Sequence, residues 1–216
     1  MAESLETRPP GAVVDKHNLL GGIDKRRDVM LELGCGDRRQ HEGAITIDAL
    51  DYDSVDVVGD VFDVLARIPS ASVSAVYSSH LIEHLAEPER LIRELARVLR
   101  PAGEATLVAP HFSNPYFYSD YTHRSFFGLY SLSYLADDHI LRRRVPRYTE
   151  STGLEIVDLQ LVFKAAPPFY LRYALGRLVQ LLVNCSTFTK EYYEGRLCYL
   201  FPCYEVRYRL RRREGA

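Results

Sequence analysis

Short apolar runs ending in acidic residues recur through the first half of the chain, and each reads as a buried parallel strand breaking into a turn. Val29–Leu33 carries Glu32 and runs into Gly34-Cys35-Gly36-Asp37, Ala44–Ile47 ends in Asp48, and Val55–Val58 leads to Gly59-Asp60. Ser72–Ser79 and Glu104–Pro110 predict a fourth and a fifth strand. Between those two, Pro88 opens an amphipathic helix. Leu91, Ile92, Leu95, Val98 and Leu99 share one face, Arg93, Glu94, Arg97 and Arg100 the other, and Pro101-Ala102-Gly103 stops it. Leu154–Phe163 and the alternating Tyr204–Leu210 predict two more strands. The Leu- and Tyr-rich stretch 168–200 predicts a helical cover packed before the last of them.

Three acids at the ends of three consecutive strands, Glu32, Asp48 and Asp60, project into one crevice if the sheet is open and parallel. A Gly-x-Gly turn after the first strand lets backbone lie close to a ligand, although an ordinary strand turn accounts for the two glycines alone. A dinucleotide fingerprint needs a third glycine where Arg39 stands, which argues against a nicotinamide cofactor. Only residues 38–43 separate the glycine turn from the second strand, too few for a full crossover helix, so a shrunken helix or a loop is expected there.

The run E-L-G-C-G-D, then S-S-H-L-I-E-H-L, then R-E-L-A-R-V-L-R-P-A-G-E and an apolar strand closing on proline, resembles class I S-adenosylmethionine-dependent methyltransferases over roughly Val29 to Pro110. That resemblance implies a Rossmann-like, doubly wound, mostly parallel seven-stranded sheet whose last strand is antiparallel. It also implies a cofactor site at Glu32, Gly34, Cys35, Gly36, Asp48, Ala49, Asp60, Val61, Ser79 and His80. Asp48 would accept the ribose hydroxyls and Asp60 would lie beside the adenine. Ser79 and His80 would flank the sulfonium.

The segment His111–Phe127 interleaves aromatic residues with His, Asn and Asp, a composition suited to an aromatic pocket with a few aimed polar groups. It follows the fifth strand, so Phe112, Asn114, Tyr116, Tyr118 and Arg124 are the candidate acceptor contacts. His123, His111 and Asp120 are the candidate catalytic groups, because an imidazole beside a carboxylate suits hydroxyl deprotonation near neutral pH. Hydrogen bonds that merely hold the loop together are the alternative. P-H-F-S-N and D-Y-T-H-R-S-F-F are similar to a methyltransferase subgroup from bacterial polysaccharide and surface-glycan gene clusters. The similarity implies O-methylation of a sugar or glycan precursor by in-line displacement. A small natural-product O- or N-methyltransferase, or a non-catalytic cofactor-binding protein, remains open.

Composition narrows this further. A hydrophobic fraction of 47%, a charged fraction of 26% and 216 residues suit one domain over residues 13–216 behind a flexible tail at 1–12, with the acceptor region at 111–150. A formal charge of −2 gives no reason to expect nucleic acid. Neither a signal segment nor a bilayer-spanning run is evident, so a cytoplasmic protein without stable membrane insertion is expected. Cys35, Cys185, Cys198 and Cys203 lack metal-site pairing, no cluster of His and carboxylates stands out at ligand spacing, and no metal is expected. The expected partner is a small-molecule or saccharide acceptor, with a homodimer through the helical stretch as a further use of that surface.

Overall fold

A computed structural model describes residues 11–148, 150–165 and 168–215. The expected tail at 1–12 therefore falls largely outside the described residues. The strands are β1 (Val14–Asp15), β2 (Met30–Leu33), β3 (Ile45–Asp48), β4 (Val57–Val58), β5 (Val73–Ser79), β6 (Leu99–Pro110), β7 (Asp137–Asp138), β8 (Leu154–Val162) and β9 (Glu205–Arg212). They form a single nine-stranded sheet in the order β1-β4-β3-β2-β5-β6-β9-β8-β7. Neighbours from β4 through to β6 run parallel, whereas β9 lies antiparallel between β6 and β8. The seven expected strands are all present. The two additional ones are edge pairs of two residues each, too short to show any periodicity.

Chain order reverses at β2, which sits between β3 and β5, so the carboxyl ends of β2 to β5 form the crevice of a doubly wound sheet. The link from β2 to β3 is a loop and contains no helix. Glu32, almost fully buried, fixes it by accepting the backbone N–H groups of Gln40 and His41 at 2.9 to 3.1 Å. Arg39 completes the fastening: its guanidinium donates to both Asp56 oxygens at 2.8 and 2.9 Å and to the Ala44 carbonyl.

Helix α1 (Val61–Leu65) is capped by Asp60, and α2 (Pro88–Val98) buries Leu91, Ile92, Leu95 and Val98 against the sheet. Each such side chain contributes about 1.5–3 kcal/mol of transfer free energy. Helix α2 ends at Val98, before the expected Pro101-Ala102-Gly103 stop: Leu99 and Arg100, expected on its faces, and the stop residues all belong to β6, which pairs with β5 from Val73 opposite Leu99 through a bulge.

The stretch expected as one packed cover is two helices, α3 (Tyr170–Asn184) and α4 (Thr187–Arg196), broken at Cys185-Ser186 where Ser186 and Thr189 form a capping box. Helix α4 is a cover and buries Tyr193. Helix α3 is not: Leu171 is 85% and Leu181 70% exposed, and Leu175, Leu178 and Leu182 are exposed too. It docks through Val183 and Val179 together with polar contacts. Asn184 bonds both backbone groups of Leu161, and Gln180 accepts the Phe163 N–H, which satisfies the open edge of β8 and turns the leucines outward. Among the described residues no helix is long and apolar enough to cross a membrane.

Candidate active site

At the crevice, Gly34 and Gly36 both adopt the left-handed region, with φ of 68° and 59°. An added Cβ on Gly34 would stand 3.0 Å from the Leu81 side chain, whereas on Gly36 it would meet nothing within 4 Å. The turn is therefore closed beneath and open above, as a backbone-contacting ligand requires. Asp48 stands half-buried at the end of β3 and organises this turn: Oδ2 accepts the Gly36 N–H at 2.8 Å and Oδ1 the Leu50 N–H at 2.9 Å. Each carboxylate oxygen keeps acceptor capacity for a second donor. Asp60 is exposed while capping α1 through the Phe62 and Asp63 N–H groups. Beside these acids, Ala49 is exposed and Val61 buried. Burial, reinforced by the Asp48 and Glu32 carboxylates, pushes the Cys35 thiol up to about 11 and keeps it neutral. Glu32 itself is committed to the 40–41 backbone beneath the turn and offers the crevice no side-chain oxygen, unlike the direct contact the family resemblance implies.

Ser79 ends β5, and His80 follows with a positive φ of 56°. That conformation aims its ring between two buried acids, with Nδ1 3.1 Å from Glu83 Oε1 and Nε2 2.9 Å from Glu205 Oε1. Hydrogen bonds to Glu205 and then Glu83 push the imidazolium up to about 9, overcoming its partial burial. Burial opposes ionisation of Glu205, but bonds from His80 and from Lys164 Nζ at 2.5 Å outweigh it and hold the carboxyl below its ordinary range. Glu205 and Lys164 lie far from the crevice in sequence, and no motif marks them. Glu205 sits in a strand end whose alternation assigns it to the outer face, yet it is buried.

The 111–127 segment begins with His111 in an isolated bridge to Phe127 and is pinned by the Arg124 and Ser125 N–H groups donating to the Glu83 carbonyl. His111 is fully buried. Its Nδ1 accepts the Ser113 N–H at 3.1 Å, so Nε2 carries the proton and donates to Glu194 Oε2 at 3.1 Å. Phe112 packs against the core, and Asn114 caps the following turn while donating to the Tyr204 carbonyl. Tyr116, Tyr118 and Arg124 remain exposed, with the Tyr118 hydroxyl bonded to the Phe112 carbonyl. Of the candidate acceptor contacts, Phe112 serves the scaffold and Tyr118 and Arg124 face outward, whereas Asn114 and Tyr116 border a cavity.

His123 and Asp120 do come together with a residue from the β5–α2 link, His84. Thr122 Oγ1 donates its one proton to Asp120 Oδ1 and so accepts from His84 Nδ1 at 2.9 Å. His123 Nδ1 donates to the Phe117 carbonyl at 2.9 Å. Nε2 of His123 lies 3.6 Å from Asp120 Oδ2, and the two ring centroids are 4.8 Å apart. Thr122, through its side chain and then its backbone N–H, holds the exposed Asp120 carboxyl below its ordinary range. A cavity of about 640 Å³ opens beside this segment and is lined by Asn114, Tyr116, Lys164, Phe169, Tyr173 and Tyr204 among others.

A doubly wound sheet of this order, with antiparallel β9 inserted between β6 and β8 and a glycine turn after its central strand, has the architecture of the Rossmann-like methyltransferase fold. Residues 31–107 match the profile of a methyltransferase domain. A SAM-dependent methyltransferase from Archaeoglobus fulgidus shares the fold with a TM-score of 0.53 and 16% identity, covering 88% of each chain. A similar solved structure is a methyltransferase, described as putative, from Bacillus halodurans, 16% identical over 90% of this chain and 97% of its own with a TM-score of 0.47. No curated protein matches the chain. The domain match supports a methyltransferase enzyme, and the fold is that of a SAM-dependent methyltransferase.

Proposed function

We propose that the enzyme O-methylates a hydroxyl of a sugar or glycan precursor. The observation that carries this reading is the 640 Å³ cavity and its wiring. Tyr116, Phe169, Tyr173 and Tyr204 offer flat walls for sugar-ring faces, and Lys164 offers a donor for hydroxyl or phosphate oxygens. Lys164 shares Glu205 with His80, so the wall of the cavity is joined by two hydrogen bonds to the residue that follows β5.

S-adenosylmethionine, when bound, supplies an electrophilic methyl group. The backbone of Gly34 to Gly36 and the carboxylates of Asp48 and Asp60 hold it, with Ser79 and His80 at its reactive end. Glu32 acts one layer below by shaping the 34–41 loop. The cluster of His84, His123 and Asp120 is the deprotonating centre. His111, spent on Ser113 and Glu194, positions the segment and takes no proton from the acceptor.

Incubating the enzyme with methyl-labelled cofactor and a panel of nucleotide sugars, free glycosides, phenols and amines tests the reading. Label recovered on a saccharide oxygen supports it. Transfer confined to phenols or amines replaces it with the small natural-product reading.

A further inference from the structure

Two imidazoles that spend Nδ1 on hydrogen bonds and a buried carboxylate with one unpaired oxygen meet in one place. His84, His123 and Glu83 each present one ligand atom, and those atoms lie within 4.8 Å of one another. Glu83 is fully buried, and its Oε1 accepts from His80 while its Oε2 has no hydrogen-bond partner. A buried unpaired carboxylate oxygen is costly unless something occupies it. The donors of the two imidazoles are equally telling. His123 Nδ1 bonds a backbone carbonyl and His84 Nδ1 a threonine oxygen that is itself tied to Asp120. Such outer-shell bonds fix the tautomer and ring orientation of metal-bound histidines.

We propose that Glu83, His84 and His123 form a site for a divalent transition cation of the zinc type. Two imidazole nitrogens and one carboxylate oxygen are a borderline donor set that suits zinc, cobalt or nickel and disfavours magnesium. Ligand atoms around a tetrahedral zinc stand about 3.3 Å apart, so the three groups close by roughly an ångström or so through side-chain rotation. Three protein ligands leave a fourth position open. In the reaction proposed above, that position takes the acceptor hydroxyl and lowers its pKa. The proton then leaves to Asp120 at the rim, the oxygen forms its bond to the methyl carbon as the carbon–sulfur bond breaks, and a neutral thioether departs. Under this arrangement His123 is a ligand and the cation performs the ionisation. This role rests on the hydroxyl-transfer reading, whereas the binding itself does not.

Sequence spacing conceals the site because 83-84 and 123 are joined only when Arg124 and Ser125 bond the Glu83 carbonyl. The expectation of no metal was drawn from spacing along the chain, and the folded segment supplies the cluster that spacing could not show.

The test is calorimetric titration of the chelator-treated full-length protein with Zn²⁺, with Mg²⁺ as control. One equivalent of zinc should bind, with no comparable magnesium binding. His84→Ala and His123→Ala should each weaken it by roughly 100-fold, with melting temperature and S-adenosylhomocysteine affinity retained. Glu83→Gln should weaken it similarly; because Glu83 is buried, the two half-buried histidines carry the decision if that variant fails to fold. Replacing zinc by Co²⁺ should give visible bands of nitrogen and oxygen ligation without a thiolate charge-transfer band. Absence of stoichiometric zinc binding, equal binding in the His84→Ala/His123→Ala double variant, or a thiolate band overturns the site. If zinc does not bind yet saccharide methylation proceeds, only this inference falls. Zinc binding with no saccharide methylated leaves the site standing and removes the reading of the reaction.

Discussion

Replacing Asp48 by alanine removes two kinds of interaction at once, and the structure separates them. In the protein alone, Oδ2 holds the Gly36 N–H at 2.8 Å and Oδ1 the Leu50 N–H at 2.9 Å. Both are charge-assisted, but the side chain is half-buried and water replaces part of what is lost, so about 1 kcal/mol each, or roughly 2 kcal/mol of stability, is expected. Cofactor binding suffers separately. Two ribose hydroxyls lose their acceptor, worth about 1–3 kcal/mol, or a rise in Kd of roughly 5- to 150-fold. The disordered Gly36 turn adds to this, since its N–H no longer has a partner to hold its positive φ. Asp48→Asn retains one carbonyl oxygen for one amide and should lose less on both counts. Calorimetric titration with S-adenosylhomocysteine, alongside thermal melts, reads the two effects. A Kd unchanged in Asp48→Ala would refute the assignment of the ribose to this residue, even if the melting temperature fell.

Other outcomes follow from the same contacts. His111→Ala should destabilise by about 2–4 kcal/mol by opening a buried hole, removing one of the bonds to Glu194 and orphaning the Ser113 N–H, with a near-normal rate per folded molecule; His123→Ala should instead lower turnover by roughly 100-fold or more while leaving cofactor affinity intact. Arg39→Ala should cost about 1–2 kcal/mol in denaturant melts, discounted for the partly exposed guanidinium. Burial opposes the ionisation of Asp56, but bonds from Thr46 and then Arg39 outweigh it and depress its pKa, so its stabilisation is complete above the unfolded value of about 3.9 and is lost as pH falls through the folded value. The stability gap between wild type and Asp56→Asn should accordingly shrink below about pH 4; a constant gap contradicts it. Gly176→Ala should stabilise by about 0.5–1 kcal/mol, because a Cβ there meets Phe163 at an ordinary 3.6 Å; a lower melting temperature would show that α3 packs more closely than this.

Much of the fold was legible because burial imposes its own pattern. Strands β2 to β4 are almost wholly buried, so they appear as apolar runs, and α2 advertises its buried stripe at helical spacing. Legibility failed where polar contacts decided the outcome. The leucines of α3 read as a packed face, but Gln180 and Asn184 attach the helix to the β8 edge and leave those leucines outside. Arg39 marked only a missing glycine in the sequence, and in the fold it is the staple that replaces the absent crossover helix. In the site, the Gly34–Gly36 turn and Asp48 followed from local order along the chain. The His80–Glu205–Lys164 link and the Glu83–His84–His123 cluster could not, since each joins segments that only the sheet order and the 111–127 segment bring together. Similarly, Asn114 and Phe112 have side chains suited to an acceptor pocket, but local backbone demands claim them first.

The most direct measurement is a crystal structure of the enzyme with S-adenosylhomocysteine. The account predicts the ligand across Gly34 to Gly36, its ribose on Asp48, its adenine beside Asp60 and its sulfur toward Ser79 and His80. A ligand lodged elsewhere, such as in the cavity beside Lys164 and Tyr204, would contradict it.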